Sequence, residues 1–289
     1  MRVTQPAIDD RNADQIAYWN GPGGQHWTDR QQVQDAVLAP VSKILIDRAR
    51  IKAGECVIDI GCGCGATTFD LAKQTGPSGH VTGIDISSPM LDRARELTPP
   101  GAPIDFALAD ATIYEFKQAS ADVLFSRFGV MFFAQPAVSF ANMRKALGPN
   151  GRLVFACWRT SRDNPWLMLA LQEAYKHVPK LPELAPGDPG PFAFASEDHV
   201  REVLNEAGFS LIAMERADFM LDIATGRGLD AALESALAIG PASRALEGQP
   251  PNLVAAATQS IRAALAAHLT GNKVPLGGSI WIVTAANGP

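Results

Sequence analysis

Apolar residues along this chain recur with two different periods. Short apolar runs bounded by turn residues predict strands at CVIDI (56–60), HVTGID (80–85), IDFALAD (104–110), ADVLFS (121–126) and RLVFACW (152–158). Between them lie stretches with helical spacing. ATTFDLAKQTG closes on Gly76 with Pro77 just behind it, the usual stop of a helix. Ser88 and Pro89 read as N-cap and first helical residue, with Met90, Leu91, Ala94 and Leu97 on one face. Pro136 opens a further helix whose Phe140, Met143 and Leu147 share a side, and Gly148-Pro149-Asn150-Gly151 is a turn. Strand and helix alternating in this way predict βαβ units feeding a mostly parallel sheet.

Beyond Trp158 the pattern loosens into a Pro-rich connection, from about Asn164 to Pro191. A helix capped by Ser196 then runs through Val200, Val203 and Leu204 to Gly208, followed by a sixth strand, LIAMER (211–216). The last strand is GSIWIVTA (278–285). The Ala-rich stretch between these strands, helical around 229–239 and 252–269, is too long for a turn and reads as an inserted cap. The start of the chain also stands outside the repeat. It carries Tyr18, Trp19 and Trp27 around a Gly-Pro-Gly-Gly loop, then an apolar helical face of Val33, Val37, Val41 and Ile44. The expected organisation is an N-terminal helical lid over 1–51, a Rossmann-like α/β domain with a seven-stranded, mostly parallel sheet over 52–216 plus 276–289, and a helical cap insertion over 217–275 between the sixth and seventh strands.

The chain has 289 residues, 47% of them hydrophobic, and a net charge of −5. That suits a globular chain with a sizeable core and excludes a disordered or collagen-like one. No basic cluster suggests a nucleic-acid partner, and no apolar run long enough to span a bilayer or form a secretory leader occurs, so a cytoplasmic location is expected. Four cysteines are too few for a disulfide scaffold, and Cys62 and Cys64 lack the further ligands of a structural metal site. Free thiols and no metal are therefore expected.

The chemistry concentrates in Asp59-Ile60-Gly61-Cys62-Gly63-Cys64-Gly65, between the first strand and the following helix. Glycines there let the backbone approach a ligand, and the helix N-terminus offers unpaired N–H groups. Asp85, at the carboxyl end of the next strand, is placed to accept ribose hydroxyls. A nucleoside-bearing ligand follows from the combination. Gly61, Gly63 and Ala66 with Asp85 also satisfy the dinucleotide fingerprint, which keeps a nicotinamide oxidoreductase open. Asp59 speaks against it, because a carboxylate at that place repels a pyrophosphate and suits a cation.

The stretches VIDIGCGCGATT, VTGIDIS and FALADAT resemble the successive cofactor-binding motifs of class I S-adenosylmethionine-dependent methyltransferases, and FSRFGVMFF, GPNGRLVFACW and NPW resemble the ubiquinone/menaquinone-type small-molecule branch. The resemblance implies S-adenosyl-L-methionine as cofactor and S-adenosyl-L-homocysteine as product. It implies that Asp59 with Gly61, Gly63 and Gly65 hold the methionine end, that Asp85 takes the ribose, and that Ile86 and Met90 pack beside the adenosine. It assigns the adenine amine to Asp110, followed by Ala111, and the cofactor amino group or entering substrate to Ser126. Trp27 reads as part of a lid over the cofactor.

No catalytic base stands out. Arg127, His177 and His26 are the candidates, with His199 a further one, and a non-catalytic cofactor-binding protein stays open on that account. Where amino-directed nucleic-acid methyltransferases of this fold carry an Asn/Asp-Pro-Pro-aromatic motif, this chain reads Ser126-Arg127-Phe128-Gly129. The expected partner is a small-molecule methyl acceptor in a mostly apolar pocket, with neither nucleic acid nor membrane, and homodimer formation is left open.

Overall fold

A computed structural model describes residues 12–288 except 183, 184, 186 and 239. Residues 1–11 of the expected lid, and the end of the helix expected at 229–239, lie outside the described residues. Seven strands form one sheet: β1 (Cys56–Ile60), β2 (His80–Asp85), β3 (Ile104–Leu108), β4 (Ala121–Arg127), β5 (Leu147–Trp158), β6 (Phe209–Asp222) and β7 (Pro275–Asn287). Their spatial order is β3-β2-β1-β4-β5-β7-β6, parallel except for β7, which runs antiparallel to both of its neighbours. This is the class I, Rossmann-like arrangement.

Three helices precede β1: α1 (Ala13–Asn20), α2 (Pro22–Asp29) and α3 (Gln31–Ala49). The Gly-Pro-Gly-Gly segment read as a loop is the opening of α2, with Pro22 in the first turn, where its missing N–H costs nothing. A side chain on Gly24 would sit 1.9 Å from the Trp19 carbonyl oxygen, so the glycine permits the sharp α1–α2 corner. Along α3, Val37, Leu38, Val41, Leu45, Ile46 and Ala49 are all buried against the main core. Arg152, within β5, forks onto the Ala49 carbonyl at 3.0 and 2.9 Å and onto Glu55 at 2.8 and 2.9 Å. That contact fixes the C-terminal end of α3 at the amino ends of the strands. Its N-terminal turns therefore reach the carboxyl ends, where ligands bind in open α/β sheets.

The remaining helices of the α/β core are α4 (Ala66–Thr75), α5 (Ser88–Leu97) and α6 (Pro136–Arg144), then α7 (Pro165–Ala174) and α8 (Glu197–Glu206). The N-cap of α5 is Ser87 rather than Ser88, which puts Ser88 and Pro89 inside the first turn. Helix α7 occupies part of what reads as a Pro-rich connection. Pro165 is tolerated because it opens the helix, and Asn164 anchors it. The Asn164 amide donates to the Arg159, Thr160 and Ser279 carbonyls and its Oδ1 accepts from the Ser279 N–H, which ties α7 to β7.

Strands β6 and β7 pair from Phe209↔Asn287 to Asp222↔Pro275, longer than the apolar runs alone predict, because pairing rather than composition sets their ends. The insertion between them holds α9 (Leu229–Ala238), α10 (Pro241–Leu246) and α11 (Pro251–Ala266). At its root, Asp222 accepts from the N–H groups of Ala224, Gly226 and Val274. No helix among the described residues is long and apolar enough to cross a membrane.

Candidate active site

The glycine loop follows β1 and is pinned from two sides. The Gly61 N–H donates to the Ile84 carbonyl at 2.8 Å, and the Gly63 N–H to Asp85 Oδ2 at 2.8 Å. The other Asp85 oxygen accepts from the Ser87 N–H at 2.9 Å. Burial raises the Asp85 pKa, and the backbone donors from Ser87, Gly63 and Ile86 oppose that rise. A carboxylate can accept about four hydrogen bonds, so Asp85 keeps capacity for a ligand's hydroxyls.

Asp59 is fully buried. Its Oδ2 accepts from the hydroxyls of Thr67 and Thr68 at 2.8 and 2.7 Å, while its Oδ1 has no partner among the described residues. Burial pushes its pKa up to about 6, against the pull of the two threonines and of Arg127. A buried carboxylate oxygen left without a donor is costly, and a cationic ligand group would satisfy it.

Helix α3 contributes polar residues that local sequence reading passed over. Gln34 is buried with its Oε1 unpartnered, and Gln31 Oε1 is likewise without a donor. Gln31 donates to Asp35, and burial raises the Asp35 carboxyl pKa. Arg127 donates to Ser42 Oγ at 2.7 Å; burial lowers its pKa, and the charges of Asp35, Asp59 and Asp70 hold it up. Asp70 is paired with Lys73 at 2.7 Å, which leaves the Asp35 and Asp59 carboxylates against the one Arg127 guanidinium. The structure thus brings the candidate Arg127 to the Asp59 side of the site, where it faces carboxylates.

The other expected residues separate by what they touch. Met90 is buried, its methyl close enough to Gly63 that a side chain on the glycine would meet it at 2.7 Å. The Ile86 carbonyl accepts from Asn20 Nδ2 at 2.8 Å, and the Ser88 N–H donates to Asn20 Oδ1 at 2.9 Å. Together with the Ser87 hydroxyl on the Trp19 carbonyl at 2.6 Å, these bonds seat α1 and α2 on the β2–α5 turn. Trp27 is half-buried, edge to face with Trp19, which in turn meets Phe132 at 5.2 Å.

Asp110 accepts from the Thr112 N–H at 2.8 Å and from the Asn12 amide at 2.7 Å. Asn12 also donates to Thr112 Oγ1 and accepts from the Ala134 N–H, so the N-terminal segment is latched over this turn. Ala111 is buried and its carbonyl accepts from Asn142. The Ser126 hydroxyl is committed to the Ile60 carbonyl at 2.7 Å. His26 is exposed on α2 and His177 lies just past α7; among the described residues neither hydrogen-bonds to a residue of the Asp59 cluster. All four cysteines are free thiols, and no group of three or more possible metal ligands is assembled among the described residues.

Residues 57–151 match the family described as methyltransferase domain. The 2-methyl-6-phytyl-1,4-hydroquinone methyltransferase of Synechocystis sp. is 38% identical over 110 residues, 38% of this chain and 34% of that enzyme. The demethylmenaquinone methyltransferase of Lactobacillus johnsonii is 26% identical over 186 residues, 60% of this chain and 75% of that enzyme. The chain spans only about a third of the length of the first curated relatives it matches, 32% and 34%. Among solved structures, Haemonchus contortus phosphoethanolamine N-methyltransferase 2 in complex with S-adenosylhomocysteine superposes with a TM-score of 0.57 at 16% identity, over 98% of this chain and 61% of that one. Residues 57–151 are thus similar to a methyltransferase domain, and the sheet as a whole shares the fold of the superposed S-adenosylhomocysteine-bound methyltransferase. The motifs of this chain are similar to those of the small-molecule branch.

Proposed function

We propose that this chain is an S-adenosylmethionine-dependent methyltransferase acting on a small, partly apolar molecule inside a closed pocket. The observation that carries the reading is the unpartnered oxygen of buried Asp59, set among surplus carboxylates beside the glycine loop. Such a place suits the ammonium of a bound cofactor and repels a pyrophosphate, which disfavours the nicotinamide alternative. Asp59 with Gly61, Gly63 and Gly65 would hold the methionine end, Asp85 the ribose, Asp110 the adenine side, and Ile86 and Met90 the adenosine faces. S-adenosylmethionine, when bound, supplies a methyl group on a sulfonium that leaves as a neutral thioether. The chain's task is then mainly to align the acceptor and exclude water, and alignment alone is worth about 7–11 kcal/mol. The helices α1 and α2, seated through Asn20, Trp19 and Asn12, act as the excluding lid.

The test is methyl transfer from labelled S-adenosylmethionine to a panel of quinols, phenols and primary amines. Label on an aromatic acceptor is the expected result. A protein that binds S-adenosylhomocysteine yet labels nothing in the panel would instead support a non-catalytic cofactor binder.

A pH dependence follows from Asp59. Its pKa lies above the ordinary carboxylate value, so the native state holds this proton more tightly than the unfolded chain does. In the ligand-free protein its contribution to stability is present below about pH 4 and lost as pH rises through about 6. Cofactor binding runs the other way, because the ammonium needs the carboxylate. Affinity for S-adenosylhomocysteine measured by calorimetry should be level above about pH 7 and fall about tenfold per unit below pH 6. A flat profile from pH 5 to 7.5, a range spanning about 6, would remove Asp59 from the binding site.

A further inference from the structure

Strand β6 forms one edge of the sheet, and among the described residues it pairs only with β7. An edge strand presents unpaired N–H and C=O groups that invite a further strand, and proteins that avoid this blunt the edge with bulges or charges. The first part of β6 is blunted in that way. Its pairing with β7 slips between Ser210 and Ala213, Leu211 is held at a φ of 50° and is 84% exposed, and the Ile212 carbonyl is taken by Arg201 of α8 at 2.8 Å. At the other end, Asp222 is bound into the root of the insertion. Between these limits, residues 213–221 keep an unbroken register with β7, and Ala213, Glu215, Arg216, Asp218 and Met220 are all exposed.

This segment is its own complement. In an antiparallel pair, residues directly opposite each other share a face of the sheet, so two copies related by a two-fold axis pair around one central residue. Ala217 is the midpoint of 213–221. Centring the pair there sets Arg216 of each copy opposite Asp218 of the other, and Met214 of each opposite Met220 of the other. Arg216 and Asp218 already pair within one chain at 2.8 Å, so two such pairs across the axis form a ring of alternating charge. The neighbouring centres fail. Centred on Glu215, Arg216 or Asp218, the pair sets that charge against its own copy, and like charges directly opposite are destabilising.

We propose that residues 213–221 of β6 are a self-recognition edge: a second copy of this chain adds its own β6 antiparallel, centred on Ala217, and joins the two sheets into one. Main-chain hydrogen bonds supply the affinity, and the charge ring sets the register. Since β6 runs parallel to β1, the two-fold axis turns the glycine loops of the two copies to opposite ends of the joined sheet, and each site binds its ligand alone. The inference does not depend on the methyltransferase reading.

Sedimentation of the full chain across micromolar concentrations is the test, with a thermal melt of each variant as the control for its fold. The wild type should sediment as a dimer. Arg216→Asp and Asp218→Arg each set like charges opposite each other on both sides of the axis, and each should weaken dimerisation by at least about a hundredfold. An equimolar mixture of the two variants sets aspartate against arginine again and should dimerise like the wild type, as should the chain carrying both substitutions. A monomeric wild type, a dimer that survives either single substitution, or a mixture that stays monomeric overturns the proposal. Asp218 also accepts from Ser279 Oγ at 2.6 Å. Should its substitution disturb the fold, hydrogen exchange in the wild type decides instead: amides within 213–221 should gain protection as concentration rises, and a gain confined to any other segment overturns the proposal.

Discussion

Replacing Asp85 by alanine should lower affinity for S-adenosylhomocysteine by at least about a hundredfold. Hydrogen bonds to a charged group contribute about 1.5–3 kcal/mol each, and about 1.4 kcal/mol is a factor of ten. Losing two acceptors for ribose hydroxyls therefore suffices. The same carboxylate also accepts the Gly63 and Ser87 N–H groups, so its removal frees both the glycine loop and the start of α5. Asp85→Asn separates these contributions: one amide oxygen still accepts, the charge is gone, and an intermediate loss of about tenfold is expected. Calorimetry supplies the affinities, and a ligand-free thermal melt shows whether the fold survives. Unchanged binding in the alanine variant would refute the placement of the ribose at Asp85.

The second large effect is on stability. Gly129, just after β4, lies against Gly61 backbone to backbone. A Cβ on Gly129 would stand 2.7 Å from Gly61 Cα and 2.7 Å from the Ile60 oxygen, while one on Gly61 would meet Gly129 Cα at 2.6 Å. These neighbours are main chain and cannot rotate away, so Gly129→Ala must push the glycine loop off β4. Overpacking of this kind costs about 1–3 kcal/mol, and in a chain of this size that lowers Tm by roughly 2–12 °C. Gly148→Ala is the control: its Cβ would meet nothing closer than 3.8 Å, and its melt should match the wild type. A Gly129→Ala protein with unchanged Tm and cofactor affinity would show that the two loops separate freely.

Both predictions concern residues whose importance reads differently in sequence and in space. Asp59, Asp85 and the glycines between them stand in one strand–turn–helix–strand unit, and local periodicity with turn chemistry was enough to place them. Gly129 gave no such signal, because its constraint is the approach of a loop 68 positions away in number, Gly61. Asn12 is a stronger case. Its amide reaches Asp110 across 98 positions, and an Asn in a polar stretch carries no mark of that role. Gln34, Asp35 and Ser42 were hidden for another reason. They interrupt the helical pattern of α3, and only the direction of that helix across the sheet brings Asp35 and Ser42 to Arg127.

Ser126 shows the converse. Its place at the end of β4 was legible, but its hydroxyl serves the Ile60 carbonyl, since a buried O–H takes the nearest strong acceptor. The cysteine pair in the loop also has a plain account: Cys62 and Cys64 are buried, and burial raises both thiols, Cys64 to about 12, which makes them packing groups rather than nucleophiles.

By itself, the sequence determined the alternation of strands and helices, the glycine loop with its two carboxylates, and the existence of an insertion before the last strand. Each of these depends on residues within a few turns of one another, where side-chain period and backbone preference act directly. Only the tertiary structure decided that β7 runs antiparallel between β5 and β6, that α3 carries polar groups to the carboxyl edge of the sheet, and that Ser235 and Trp166 line one small cavity. Those outcomes follow from burying distant apolar faces together, and no local pattern records which distant partner a face will find.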